Sequence, residues 1–169
     1  MKVSELFLAE LEEEASSTRR VLEQVPEGRN DWKPHPKSMP LGYLAFLVAT
    51  LPGWVTMTIK QDELDLEPPS GPPPGPCEAA SNADLLRMFD ESVEGARAAL
   101  RGTNDDHLLT TWRLLVAGQV VMEQTRLKVL RHSVFNHLAH HRGQLTVYLR
   151  LNDAKVPAIY GPSADDRRF

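Results

Sequence analysis

The chain has 169 residues, of which 41% are hydrophobic and 25% are charged. This size and composition fit one globular domain with a sizeable core, so residues 1–169 are interpreted as a single domain. The formal net charge is −4 and the basic residues are scattered, which argues against a nucleic-acid-binding protein. Cys77 is the only cysteine and leaves no partner for an internal disulfide, and the acidic N-terminal stretch does not resemble a secretory signal. Together these features predict a cytoplasmic protein.

One segment has the length of a membrane-spanning helix. Residues 39–59 contain no charged side chain, and about 20 apolar residues are enough to cross a bilayer. The same segment contains Pro40, Pro52, two glycines and three threonines. Because helix-interrupting and polar residues are this frequent, the segment is interpreted as a buried helix of a globular protein, with no membrane partner.

Apolar residues that recur three or four positions apart predict the first two helices. The first helix is expected from Ser4 to Val25. Residues 27–37 follow as an ordered loop, with Trp32 as its apolar anchor. The second helix is expected to begin near Ser38, a good N-cap residue, and Pro52 should kink or end it.

The second half of the chain contains two further predicted helices. The third helix is expected to open at Ser81 or Asn82 and to close at Gly102. The periodicity weakens over residues 103–118, where the sequence is compatible with a short extended segment or a helical turn. The last and longest helix is expected over residues 119–151.

A proline-rich segment separates the second and third predicted helices. Residues 65–80 hold many of the 13 prolines and are interpreted as an extended crossover within one domain. A domain boundary here is the rival interpretation, but neither half of the chain offers enough helices for its own core. Four amphipathic helices with one long crossover predict an all-α, four-helix up-down-down-up bundle.

The clearest candidate for chemistry is a histidine pair on the last helix. His137 and His141 are four residues apart, so their imidazoles share one helix face and could hold one metal ion. They also lie on the apolar stripe, where each ring nitrogen needs a metal or a hydrogen-bond partner. The pair is not a zincin motif, because Leu138 occupies the position of the glutamate base.

The other candidate residues are interpreted as structural or surface residues, without a catalytic or metal-binding role. His140 lies about 100° around the helix from His141 and is expected to be a surface or interface residue. Gly143 is interpreted as a site of close packing against another helix or chain. Catalysis by Cys77 is not favoured, because no basic residue is close in sequence to lower the thiol pKa. The remaining histidines are interpreted as structural or solvated: His35, His107 and His132.

The sequence resembles the DinB family of four-helix proteins. The resemblance is carried by HLAHHRGQLTVYLRL at residues 137–151 and by matching segments at residues 19–45, 51–54 and 156–165. It implies an up-down-down-up bundle that is commonly dimeric, with a divalent metal held by three histidines in a cleft between helices. Some members of the family are thiol transferases or thiol-dependent isomerases.

Only two of the three histidines that the resemblance implies are present. The second and third family ligands correspond to His137 and His141, whereas Leu47 stands at the position of the first. A leucine side chain cannot bind a metal, so the loss of one ligand in three should weaken binding by several orders of magnitude. The metal site is therefore interpreted as degenerate.

Two hypotheses of function follow. The favoured one is a metal-free or weakly metal-binding protein. It either binds a small molecule or thiol in the cleft that holds the metal in the family, or serves as a scaffold, and in both cases it is expected to form a homodimer. The alternative is a divalent-metal-dependent enzyme that resembles the family's thiol transferases, with zinc or nickel on His137 and His141. Leu47 favours the first hypothesis, because an apolar side chain makes the cleft a better pocket for an apolar ligand.

Overall fold

A computed structural model of the protein describes residues 2–68 and 79–168. Cys77 and most of the crossover predicted at residues 65–80 lie outside the described residues. The described chain combines helices with a three-stranded sheet in the order β1-β2-β3. The prediction of an all-α four-helix bundle is therefore wrong, and the fold class is α+β.

The elements follow one another along the chain with short connections, apart from the segment between β1 and α4. In chain order they are α1 (Val3–Leu22), α2 (Leu41–Thr50), α3 (Gly53–Lys60), β1 (Glu63–Asp65), α4 (Asn82–Arg101), α5 (Asp105–Leu108), β2 (Thr111–Val116), β3 (Gln119–Thr125), α6 (Arg126–Val129), a π-helical turn (Leu130–Phe135) and α7 (Asn136–Leu151).

The helices α1, α2, α4 and α7 bury a common apolar cluster, which we call the helical core. Each contributes leucine, valine, alanine or aromatic residues from one face, as expected for amphipathic helices. The predicted N-cap of α4 is confirmed, since the Ser81 hydroxyl accepts a hydrogen bond from the Asp84 backbone N–H at 3.1 Å. Trp32 is confirmed as the loop's anchor, because it packs edge-on against Tyr148 with ring centroids 5.5 Å apart.

The break predicted at Pro52 separates α2 from α3. The two helices are bent by 50° relative to each other, because proline lacks the N–H that would continue the helical hydrogen bonds. Within residues 2–68 and 79–168, no single helix has the length and apolar character needed to cross a bilayer. The bent α2–α3 pair meets those criteria only when its two parts are taken together.

The sheet replaces the start of the predicted last helix. Residues 119–125 form β3, which pairs antiparallel with β2, and β1 pairs in parallel with β2. The two-residue connection between β2 and β3 has positive φ at Ala117 (50°) and at Gly118 (75°). Such a turn matches the twist of a tight hairpin. The Gly118 N–H also donates to the Asp65 carboxylate at 2.8 Å, which ties the hairpin to the end of β1.

A buried arginine joins the sheet to the helices. Arg126, at the start of α6, is only 2% exposed. Its guanidinium donates to the Thr110 hydroxyl at 2.6 Å, to the Thr111 carbonyl at 2.8 Å and to the Gln61 carbonyl at 3.1 Å, and it pairs with the Asp62 carboxylate. These bonds hold the end of α3, the start of β2 and the last helical segment in one place.

Candidate functional site

A cavity of about 510 Å³ lies between the sheet, α3 and the helical segment that runs from α6 into α7. Its walls are mainly apolar and aromatic, with a polar stripe contributed by the last helical segment. The lining residues are Trp54, Met57, Thr58, Leu64, Leu66, Trp112, Leu114, Met122, Val129, His132, Ser133, Asn136, His137 and His140. An apolar cavity with a few polar groups on one wall is typical of a site for a small molecule.

The sheet supplies its apolar wall through the alternation of strand side chains. Leu114 on β2 is directly opposite Met122 on β3, and both line the cavity, as does Leu64 on β1. The neighbouring residue Arg113 instead pairs with Glu63 at 2.8 Å, where both side chains are largely exposed. The sheet therefore has an apolar face toward the cavity and a charged face toward solvent.

The π-helical turn positions the polar stripe of the cavity, which consists of His132, Ser133, Asn136, His137 and His140. It lies directly before α7, of which His137 is the second residue, and π-helical turns are often found at functional sites. Phe135 of the turn stacks on Phe7 of α1 with centroids 5.4 Å apart, and Arg131 forms a two-pronged ion pair with Glu10 at 2.6 Å. These contacts fix the turn against α1 while its opposite side lines the cavity.

The two predicted histidines are in direct contact. Nε2 of His137 is 2.7 Å from Nε2 of His141, and the ring centroids are 4.5 Å apart. His141 is 8% exposed, and the ring of His137 packs edge-on against Trp54 with centroids 5.5 Å apart. Only His137 of the pair lines the cavity, so it connects the buried pair to the cavity wall.

The outer nitrogens of the pair each face a hydrogen-bond acceptor. Nδ1 of His137 is 3.3 Å from the Ser133 carbonyl, and Nδ1 of His141 is 2.7 Å from Gln144 Oε1. When both Nδ1 atoms carry protons and donate to these acceptors, both Nε2 atoms present lone pairs to each other. In a neutral pair the conflict is relieved when one ring carries its proton on Nε2 instead of Nδ1. A cation between the two Nε2 atoms would instead bind both lone pairs.

Burial favours the neutral form of both rings. It is the main cause that lowers the pKa of His137, and the nearby His140 lowers it further, against a hydrogen bond to Ser133 that raises it. The pKa of His141 is lowered for the same main reason, partly opposed by its bond to Gln144. Both rings are therefore biased toward the uncharged state that can accept a proton or bind a metal.

The side chains do not fit the three-histidine centre that the family resemblance implies. Among residues 2–68 and 79–168, no group of three or more histidine, cysteine or acidic residues is arranged to hold an ion. Leu47 is half-buried and packs against the helical core. Two Zn–N bonds of about 2.0–2.1 Å at a tetrahedral angle place the nitrogens about 3.3 Å apart, so the Nε2 atoms would need to separate by about 0.6 Å.

Two buried polar groups of the cavity wall lack a partner. Trp112 is 2% exposed and Thr58 is 1% exposed, and both line the cavity. Neither the indole Nε1–H nor the threonine hydroxyl has a hydrogen-bond partner among the residues that the structure describes. An unsatisfied buried polar group costs about 1–3 kcal/mol, so such groups need an explanation.

Arg142 anchors the helix next to the histidine pair. It is 1% exposed and pairs with the Glu14 carboxylate at 2.6 Å. It also donates to the Thr18 hydroxyl at 2.9 Å and to the Tyr160 hydroxyl at 2.5 Å. This network joins α7 to α1 and to the C-terminal segment, and it fixes the helix turn that carries His141.

The four histidines outside the pair occupy different environments in the structure. His132 and His140 are exposed as expected, but both line the rim of the cavity. His107 is structural, since its Nδ1 lies 2.9 Å from the Thr103 hydroxyl, and His35 is exposed in its loop. No side chain approaches a β-carbon built on Gly143 within 4 Å, so the close packing expected there is not found among the described residues.

Sequence reasoning missed Ser133, Asn136 and the sheet residues of the cavity. A signal for the helical part was present, because residues 129, 132, 133, 136, 137 and 140 recur at the three- and four-residue spacing of one helix face. The sheet residues could not be found in this way while β3 was interpreted as helix.

Comparisons with known proteins agree with this architecture. The model of the DinB family matches residues 1–168. The uncharacterized protein YrdA of Bacillus subtilis (strain 168) is 28% identical over 160 residues, which cover 95% of this chain and 89% of that protein. The crystal structure of a DinB-like protein from Bacillus cereus ATCC 10987 has a TM-score of 0.66 at 21% identity, covering 91% of this chain and 95% of the other. The crystal structure of YjoA, a DinB-like protein from Bacillus subtilis, has a TM-score of 0.65 at 19% identity, with coverages of 95% and 98%.

Proposed function

Because the chain belongs to the DinB family but carries only part of the family's histidine set, we propose that it binds a small molecule without a catalytic metal. The binding site is the cavity between the sheet and the last helical segment. The observation that carries this proposal is a volume of about 510 Å³ bounded by leucine, methionine and tryptophan side chains with His137 on its wall. Burial of apolar ligand surface against such walls supplies the affinity, and the polar stripe orients the ligand.

Occupancy of the cavity is tested with the uncharged, apolar fluorescent probe N-phenyl-1-naphthylamine. Met122→Trp adds a large side chain to the cavity wall, and it should abolish or strongly weaken probe binding in a fluorescence titration. Val120→Trp on the same strand is the matched control. Val120 is two residues from Met122, but a shift in the strand register between Leu114 and Leu115 pairs it with Leu115. It therefore lies on the opposite face from the Met122–Leu114 pair, and it is 50% exposed.

The control should bind the probe as tightly as the natural protein does. Equal binding by all three proteins would mean that the probe sits elsewhere and would refute the proposed site. Circular dichroism of each variant establishes that a loss of binding does not come from a loss of structure.

A second candidate function is a divalent-metal-dependent enzyme similar to the family's thiol transferases. The observation that favours it is the convergence of two Nε2 atoms 2.7 Å apart, with both Nδ1 atoms facing acceptors. Outer-sphere acceptors of this kind orient histidines that bind metals. With two protein ligands, zinc or nickel would be held weakly.

Equilibrium dialysis with zinc separates the two candidates. Stoichiometric zinc at low micromolar concentration in the natural protein, lost in His137→Ala, would support the metal-dependent enzyme. Weak or undetectable binding in the natural protein and a gain of binding in Leu47→His would support the metal-free module. In that case the third imidazole restores the ligand set that the family resemblance implies.

We propose that the protein forms a homodimer through an exposed stripe on α7. Val147 is 56% exposed and Leu151 is 55% exposed, and they continue the helix face that begins at the unpacked Gly143. Light scattering should detect a dimer that Val147→Glu converts to a monomer. A natural protein that is monomeric at high micromolar concentration would refute this proposal.

A further inference from the structure

The two unpartnered polar groups of the cavity wall indicate what kind of ligand fits there. Trp112 belongs to β2 and Thr58 to α3, so the groups come from two different walls of the same cavity. Both side chains are at least nine-tenths buried, and their polar atoms lie just beneath the cavity surface, so a ligand reaches either atom when its side chain rotates toward the cavity. Neither Trp112 Nε1 nor Thr58 Oγ1 has a partner among the described residues.

The hydrogen-bonding chemistry of Trp112 and Thr58 indicates that the ligand carries a hydrogen-bond acceptor. An indole N–H can only donate a hydrogen bond, and a threonine hydroxyl can donate one as well. A ligand atom that satisfies Trp112 must therefore be an acceptor such as a carbonyl oxygen. The other lining side chains from the sheet and α3 are apolar, among them Leu64, Leu114 and Met122, so the part of the ligand that faces them should be hydrocarbon.

The other residues that line the cavity indicate that the ligand is uncharged. Among the described residues that line the cavity, none is a lysine, an arginine or a carboxylate. An ionised ligand would lose its hydration without gaining a lysine, an arginine or a carboxylate as a partner in the cavity wall. A neutral acceptor avoids this cost.

We propose that Trp112 and Thr58 select a neutral, largely apolar carbonyl compound, a class that includes ketones, aldehydes, esters and amides. The Trp112 indole N–H donates to the carbonyl oxygen, and the Thr58 hydroxyl donates to the same oxygen or to a second acceptor of the ligand. The inference rests on the proposed function, since it assigns a ligand class to the same cavity.

Two small probes of equal shape test the assignment. Acetophenone carries a carbonyl oxygen where α-methylstyrene carries a methylene group, and each can be measured by displacement of N-phenyl-1-naphthylamine. Trp112→Phe keeps an aromatic ring but removes the N–H, so it should weaken acetophenone about fivefold and change α-methylstyrene less than twofold. Thr58→Val removes the hydroxyl at nearly constant volume and should act in the same direction.

Trp54→Phe is the matched control, because Trp54 also lines the cavity but is only half-buried, and its N–H is not among the buried groups without a partner. It should change the affinities for the two probes by the same factor. Unchanged thermal unfolding of the Thr58→Val variant keeps the test valid if Trp112→Phe is poorly folded.

The outcomes separate this inference from the proposed function. If both probes displace the dye but Trp112→Phe and Thr58→Val affect them equally, the carbonyl assignment is wrong and the cavity remains a binding site. If neither probe displaces the dye and Met122→Trp does not affect dye binding, the proposed function fails and this inference fails with it.

Discussion

The helical core and the cavity wall bury polar side chains to a similar extent but differ in the partners that these side chains have. Arg142 is 1% exposed, and its charge is met by Glu14, Thr18 and Tyr160. Trp112 and Thr58 are equally buried, yet their polar atoms have no partner among the residues that the structure describes. The comparison shows that the network around Arg142 satisfies its buried charge, while the cavity wall keeps two buried polar groups without a partner.

Removal of the buried arginine should have the largest effect on stability. Arg142→Met leaves the Glu14 carboxylate without its cation in a mostly buried site, which should lower the free energy of unfolding by about 3 kcal/mol. Urea denaturation measures this change. Arg150→Met is the control, because its ion pair with Asp165 lies at the surface and should contribute much less to stability. Similar losses in both variants would contradict the role assigned to Arg142.

Matched leucine truncations should distinguish the packing of the two regions. Leu145 is fully buried in the helical core, and Leu145→Ala should lower the free energy of unfolding by about 3 kcal/mol. Leu114 already faces the cavity on one side, so Leu114→Ala removes fewer contacts and should cost about 1 kcal/mol or less. Equal costs in urea denaturation would mean that the cavity wall is packed as densely as the helical core.

A smaller effect should appear in the pH dependence of stability. Because burial lowers the pKa of both His137 and His141 below the ordinary value of 6.5, the unfolded chain binds more protons than the folded one in acid. Their contribution is complete above about pH 6.5 and is lost as the pH falls below it. Unfolding free energies at pH 7.5 and pH 5.5 should differ less in a His137→Gln/His141→Gln variant than in the natural protein. An unchanged difference would show that the pair is not buried as described.

Much of the helical architecture could be predicted from the sequence. The apolar periodicity of α1 and α4 is strong, and α2 is apolar along nearly its whole length. Proline, serine and glycine mark helix ends at Pro52, Ser81 and Gly102. The contact between His137 and His141 could also be anticipated, because a separation of four residues on a helix leaves little geometric freedom.

The sheet could be predicted only in part, because β2 lies in the segment 103–118 for which a short extended structure was one of two open alternatives. Residues 119–125 directly precede the helix that starts at Arg126, and their partly apolar sequence was interpreted as an extension of that helix. Gly118 was interpreted as the end of an irregular segment, whereas with Ala117 it forms the positive-φ turn of a hairpin. β1 has three residues and is stabilised by pairing with β2, a long-range contact that local patterns do not carry. Without the sheet, the cavity and its unpartnered groups could not be foreseen.

The most direct test of the central claim uses the three tryptophans as reporters. Trp54 and Trp112 line the cavity, whereas Trp32 packs against Tyr148 in the helical core. In a nitrogen-proton correlation spectrum, titration with acetophenone should shift the indole signals of Trp54 and Trp112 and leave that of Trp32 in place. A shift confined to Trp32, or no saturable shift of any indole signal, would contradict a small-molecule site between the sheet and the last helical segment.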